Sequence, residues 1–254
     1  MKVYIGIPAR MRSTRFRGKP LCKILGISML EHCYIRSKLN DNIADIFIAC
    51  CDKEVEEAAK KFKAKTILTD SSISRPCLRI AQAAKKLNLN DEDIIVVVQG
   101  DEPLVHPKMI DLAIEPLLKE KDIYVSNLCS KIDRNVMLDP NEVKVVCDLN
   151  MNALYFSRSP IPSTDHEEEK TTWFKQVCII PFKWHFMKKF MYQLKPTPLE
   201  LQESIEMIRA LQYGFKVKMV LSPYITKSVD TDQDRIEVEK LMINDPLFKQ
   251  YNYI

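Results

Sequence analysis

The run Asp93-Ile-Ile-Val-Val-Val98 places the tightest limit on how this chain can fold. A strand with one wet face alternates polar and apolar residues. An unbroken β-branched run instead asks to be covered on both sides, as a central parallel strand is. The residues before it repeat a strand–helix unit. Residues 2–7 and 45–50 read as buried strands and 66–68 as a short third one. Between them, 28–39 carries Met29, Leu30, Cys33 and Ile35 at helical spacing, and 53–62 carries Val55, Ala58, Ala59 and Phe62. Pro76 suits the first turn of a helix running to about residue 87. The order β-α-β-α-β-α-β predicts an open α/β sheet with a ligand crevice at the carboxyl ends of its strands.

Beyond the central strand the pattern loosens. Residues 109–118 read as a helix despite Pro116, and 123–129 as a strand. Residues 142–148 and 153–156 form a hairpin around Asn150 and Asn152. The stretch 163–172, charged and poor in apolar residues, reads as a surface loop. A strand over 174–182, helices over 184–194 and 199–213, a strand over 216–221 and a last helix over 231–242 complete the chain.

At 254 residues the chain fits one large domain or two small ones. A net charge of +4 is too mild to argue for nucleic acid as a partner. Only five glycines argue against a glycine-rich dinucleotide loop. The eight cysteines show no CxxC spacing, and several lie inside apolar runs, as buried reduced thiols do. The four histidines, His32, His106, His166 and His185, have no metal-ligand spacing. No run reaches the length of a membrane span and no signal-type apolar region precedes the first strand. The expectation is a cytoplasmic protein without membrane insertion.

Three loops carry the chemistry. After the first strand, the segment 8–21 (PARMRSTRFRGKPL) places Arg10, Arg12, Arg15, Arg17 and Lys19 within ten positions. Arginine forks and a lysine point charge suit a polyphosphate, although a solvated basic turn would carry the same charges. After the central strand, Gln99-Gly-Asp-Glu-Pro103 puts Asp101 at the same sheet edge, where Mg²⁺ takes one or two carboxylates beside phosphate oxygens. Gly, Asp and Pro also favour plain turns. Late in the chain, Val229-Asp-Thr-Asp232 offers Asp230 as a second metal ligand or as a helix N-cap.

Taken together, these motifs resemble the sugar-acid cytidylyltransferases, most closely those acting on 3-deoxy-manno-octulosonate (KDO). The segment 8–21 is similar to that family's nucleotide loop and QGDEP at 99–103 to its metal-carrying strand end. NEVKVVCD at 141–148 and ALYFSRSPIP at 153–162 are similar to its middle section, 198–211 to its sugar-side helix, and VDTDQD at 229–234 to its second metal position. The resemblance implies a three-layer α/β/α sandwich, a Rossmann-like nucleotidyltransferase fold with a mostly parallel central sheet. It further implies one domain, with a nucleotide-binding core at 1–134 and 222–254 and a sugar-side and dimerisation excursion at about 135–221. Implied nucleotide contacts are Pro8, Ala9, Arg10, Ser13, Arg15, Lys19, Ser74, Arg79 and Gln99. Asp101 and Asp230 would bind Mg²⁺, and with Arg10 and Lys19 they form the catalytic set. Arg158, Gln176 and Glu206 would meet the sugar acid. The implied reaction transfers CMP from CTP to the anomeric hydroxyl of the acid and releases pyrophosphate, for cell-surface polysaccharide synthesis by a homodimer.

Departures from the family pattern cluster on the sugar side and one edge of the nucleoside site. The family's H-x-S-G-T-[DE]-R reads ISRPCLR at 73–79, and its H-x-G-I-Y reads QVCII at 176–180. Its late Glu-Gln pair is Glu206-Met207 here. The phosphate and metal motifs are intact, so the expectation is an active enzyme whose acid is KDO or a variant of it. The alternatives are a sialate-type acid, or a nucleotide-binding relative that has lost turnover.

Overall fold

The computed structural model describes residues 1–12, 16–163 and 172–251. The first half is built as its sequence reads. Strand β1 (Val3–Ala9) is followed by the basic loop, a 3-10 turn (Lys19–Leu21) and a two-stranded ribbon of β2 (Lys23–Ile24) and β3 (Ile27–Ser28). Then come α1 (Met29–Lys38), β4 (Asp45–Cys50), α2 (Lys53–Lys61), β5 (Thr66–Leu68), α3 (Pro76–Ala84), β6 (Ile94–Val98) and α4 (Pro107–Lys119). The second half contains β7 (Ser126–Ile132), α5 (Arg134–Leu138), β8 (Lys144–Cys147), β9 (Ala153–Ser157), β10 (Trp173–Val177) and β11 (Ile179–Lys183). It ends with α6 (Trp184–Tyr192), α7 (Pro198–Glu203), α8 (Met207–Gln212), β12 (Lys218–Leu221), α9 (Asp232–Ile243) and α10 (Pro246–Tyr251).

The main sheet has the order β11-β6-β1-β4-β5. Its four inner-to-edge strands β6, β1, β4 and β5 are parallel, and β11 closes one edge antiparallel to β6. Alternate residues point into two apolar layers. Ile5, Ile7, Ile46, Ile48, Ile94, Val96 and Val98 pack with α1, α2 and α4 on one face. Phe47, Ala49, Ile95, Val97, Ile180 and Phe182 pack with α3, α6 and α8 on the other. That arrangement is the three-layer α/β/α sandwich, with the DIIVVV run covered on both faces. Helix α3 comes so close to β1 that a Cβ on Gly6 would stand 2.8 Å from Ile80, so only glycine fits there.

A second sheet, β12-β7-β10-β8-β9, takes its strands from residues 126–221. Two long elements expected from the sequence are broken where it forms. The strand expected over 174–182 is two strands, β10 in the second sheet and β11 in the main one, and the chain changes sheets at Cys178. Strand-type residues continue on both sides of Cys178 with no glycine, and the proline comes only at 181, so the pattern hides the break. The helix expected over 199–213 is likewise α7 and α8, divided at Ser204, which turns left-handed at φ 57°. Arg209 restores the connection by gripping the buried Glu200 with Nε at 2.7 Å and Nη2 at 2.5 Å. Strand β7 begins three residues later than expected, because Val125 instead bridges to Phe182. The helix from Pro76 ends at Ala84, short of residue 87. The surface loop expected at 163–172 falls mostly outside the described residues, and all eight cysteines are free thiols.

A third apolar cluster, including Ile24, Met29, Leu104, Val229, Val238, Phe248 and Tyr251, packs α9 and α10 beneath the end of the main sheet. His32 is buried inside it, with Nε2 2.8 Å from the Ile24 carbonyl and Nδ1 2.9 Å from the Tyr251 hydroxyl. Burial holds its pKa down to about 4, with the Ile24 bond opposing and Arg36 reinforcing the shift. Its folded pKa lies below its unfolded value, so the native state binds fewer protons between these two values. Stability from this residue is complete above pH 6.5 and is lost as pH falls toward 4, with a limiting slope of about 1.4 kcal/mol per pH unit. Thermal melts of His32→Gln from pH 7 to pH 4 should accordingly fall less steeply than those of the parent.

Candidate active site

The carboxyl ends of β1 and β6 open into a cleft of about 520 Å³, walled on the far side by the β10–β11 junction and the start of α8. Each chain segment delivers its side chains for a local reason. At the end of β6, Gln99 donates its backbone N–H to the Cys178 carbonyl, and Glu102 donates back to Gln99 in a tight turn. A Cβ on Gly100 would lie 3.0 Å from the Pro8 carbonyl oxygen, so glycine lets this turn sit against the end of β1. From the other direction, Val229 N–H donates to the Asp101 carbonyl at 3.0 Å and brings Asp230 alongside. The N-cap of α9 is Thr231, whose hydroxyl accepts from Asp234 N–H, and the Asp230 carboxylate faces the cleft instead.

Between the two aspartates stands Lys19. Its Nζ donates to Asp101 Oδ2 at 2.7 Å and to Asp230 Oδ1 at 2.8 Å. Burial works against the charge of this ammonium, and the two carboxylates more than offset that, holding it above the ordinary lysine range. Two carboxylates from separate loops that converge on one cation form a donor pair suited to a divalent ion that completes its shell with phosphate oxygens. Among the described residues, no set of three or more His, Cys, Asp or Glu side chains is gathered for a metal.

The other residues expected at the site are brought to the same cleft, with different freedom. Pro8, Ala9 and Arg10 line it, and Arg10 is exposed at its edge. Ser13 and Arg15 lie outside the described residues. Ser74 and Arg79 line it from the start of α3. Arg79 is buried, with its guanidinium donating to Thr69 Oγ1 and the Ile73 carbonyl, so it braces the loop before α3. On the far wall, Gln176 gives its amide N–H to Asn127 Oδ1 at 2.5 Å. Glu206 accepts the Cys77 backbone N–H at 3.2 Å through Oε2, while its buried Oε1 has no described partner. Burial pushes the Glu206 carboxyl up, against the Cys77 bond that favours its ionised form. Arg158 also lines this wall.

Sequence reasoning passed over several lining residues. Arg12 stood in the basic loop without an assigned role. Lys175, a buried ammonium 2.9 Å from Glu142 Oε1, lies between the end of β6 and the far wall. Glu142 lies inside the NEVKVV motif and Lys175 directly before the QVCII segment, so a scan of motif neighbours would have reached both. Glu102 is buried beside Asp101. Burial and then the Asp101 charge push its carboxyl up to about 8, with Lys175 opposing.

A family model for cytidylyltransferases matches residues 5–236. The chain belongs to the cytidylyltransferase family. It is 39% identical to the 3-deoxy-manno-octulosonate cytidylyltransferase of Geobacter metallireducens, over 95% of this chain and 98% of that protein. Against the enzyme of the same name from Desulfosudis oleivorans the identity is 36%, over the same shares of both chains. The structure of CMP:2-keto-3-deoxy-manno-octonic acid synthetase complexed with CTP superposes with a TM-score of 0.87 at 32% identity, covering 96% of this chain and 99% of that one.

The ion bridge generates a direct expectation for this nucleotidyltransferase. Lys19→Met and Asp101→Asn should each lower cytidylyl transfer by about a hundredfold or more, because the first removes the cation of the bridge and the second one carboxylate of the pair suited to a divalent ion. Far-UV circular dichroism should be unchanged in both. A variant with near-normal rates would place the chemistry elsewhere.

Proposed function

We propose that this cytidylyltransferase couples CTP to a 3-deoxy-ulosonic acid, KDO or a close variant, releasing pyrophosphate. The observation that carries the reading is the convergence of Lys19, Asp101 and Asp230 in one cleft with Arg10, Gln99 and Arg158. Arg10 and Lys19, with Ser13 and Arg15 of the same loop, bind the triphosphate. Pro8, Ala9, Ser74, Arg79 and Gln99 surround the nucleoside. Asp101 and Asp230 would hold Mg²⁺, which when bound neutralises phosphate oxygens and helps to align them. Arg158 pairs with the carboxylate of the acid, and Gln176 and Glu206 read its hydroxyls. The new bond joins the anomeric oxygen to the α-phosphorus, and the bond from that phosphorus to the bridging oxygen of pyrophosphate breaks. The chain's contribution is placement and charge, not a covalent nucleophile.

The core at 1–134 and 222–254 serves the nucleotide in this reading, and the excursion at about 135–221 serves the acid and a homodimer contact. No helix among the described residues is long and apolar enough to cross a membrane. A cytoplasmic site of action, supplying an activated sugar for lipopolysaccharide or capsule, belongs to the same proposal.

The far wall supports a variant acid over KDO itself. Ile180 and Met207, both buried, and Cys178 line it with side chains that offer sugar hydroxyls little hydrogen bonding. A site built to bond a hydroxyl discriminates strongly through each such partner. Pyrophosphate release should be measured with CTP, Mg²⁺ and a panel of KDO, N-acetylneuraminate and a 3-deoxy-heptulosonate. Release with at least one acid is expected. Silence across the panel with CTP still bound would instead identify a nucleotide-binding relative without turnover. The triple variant Gln176→His, Ile180→Tyr, Met207→Gln should shift kcat/KM toward KDO by about tenfold or more.

A further inference from the structure

Lys144 has no place in the reading above, yet its side chain is fully buried beside the far wall of the cleft. Its three ammonium donors reach three backbone carbonyls: Asp139 at 2.7 Å, Glu142 at 2.7 Å and Arg158 at 2.5 Å. The two carbonyls between Asp139 and Glu142 turn to a different cation. Pro140 and Asn141 accept from Arg158 Nη1 at 3.3 and 3.1 Å. Four successive carbonyls are thus shared between two side chains, and Lys144 ties the backbone of Arg158 to the very segment that its guanidinium touches.

Glu203 holds the same arginine from the end of α7. Its Oε2 accepts the Arg158 backbone N–H at 2.8 Å and its carbonyl accepts from Arg158 Nε at 3.0 Å. Its Oε1 accepts from Ser157 Oγ at 2.8 Å. With Nε and Nη1 engaged, Nη2 is the arm of the guanidinium that donates to no described residue. A guanidinium whose plane is held still presents that arm in a fixed direction, so little of its freedom is lost when a carboxylate binds.

We propose that Lys144 and Glu203 are positioning residues that fix the Arg158 guanidinium for the carboxylate of the sugar acid. Neither needs to touch the acid. Losing the Lys144 ammonium leaves three carbonyls without this donor and releases the 139–142 segment, which also carries Glu142 into the cleft. Losing the Glu203 carboxylate frees the backbone of Arg158 on its other side. The inference rests on the assignment of Arg158 to the acid, and the test separates the two.

Lys144→Met, Glu203→Ala and Arg158→Ala are compared by pyrophosphate release, using the panel member turned over fastest, and by calorimetric CTP binding in the absence of acid. Each variant should raise KM for the acid by about tenfold or more while CTP affinity stays within about twofold. Lys144→Met added to Arg158→Ala should cost much less than the product of the two single effects, because the lysine acts through the arginine. If Lys144→Met does not fold, Glu203→Ala carries the test alone. Should Arg158→Ala raise KM while the foldable positioning variants leave it unchanged, or weaken CTP binding equally, the positioning role is overturned. If Arg158→Ala leaves KM unchanged, the assignment of Arg158 falls and the positioning role falls with it.

Discussion

The ion bridge from Lys19 to Asp101 and Asp230 is the constraint that the rest of the site obeys. It joins positions far apart in sequence, one after the first strand, one after the central strand and one before α9. Two ionised carboxylates repel each other in a small volume unless a cation stands between them, and the repulsion strengthens as the surroundings dry out. Everything that brings them together therefore has to be stiff. The Gly100 contact with Pro8, the Val229 bond to the Asp101 carbonyl and the apolar cluster under α9 and α10 supply that stiffness.

The second sheet solves a related problem by other means. No carboxylate pair gathers Arg158. The segment around it is set by backbone carbonyls turned toward buried cations, with Lys144 among them. Carbonyl dipoles compensate an ammonium without adding net charge, and the one carboxylate that holds this segment, Glu203, accepts the Arg158 backbone N–H. The main-sheet side of the cleft thus carries the aspartate pair, and Arg158 lines the opposite wall.

The main sheet could be read from the chain because its signals are local. Each of β1, β4, β5 and β6 is a short apolar run followed by a loop, and the loops after β1, β5 and β6 line the cleft. The second sheet was harder. Apart from the β8–β9 hairpin, its strands pair across longer separations, and the pairing of β10 with β7 and β8 leaves no mark on spacing within the segment. Ser204 breaks a helix without glycine or proline to announce it. Arg79 shows a different gap between sequence and structure. A motif can place it at the nucleoside edge, but only coordinates reveal that its donors are occupied by the loop it belongs to. Lys175 and Glu142 are ordinary strand and loop charges until two strands bring them together.

The crossing at Cys178 has a consequence for how such a cleft can change. Val177 is paired with Leu128 in one sheet and Ile179 with Val98 in the other, so a single residue separates two complete ladders. A hinge needs a few residues free to alter their backbone angles, and there is no slack here to provide them. The floor and the far wall of the cleft are therefore cast in one piece along this seam. A scaffold of that kind adapts to new ligands by exchanging side chains on a fixed frame, much as a lock is re-pinned while its barrel stays in place.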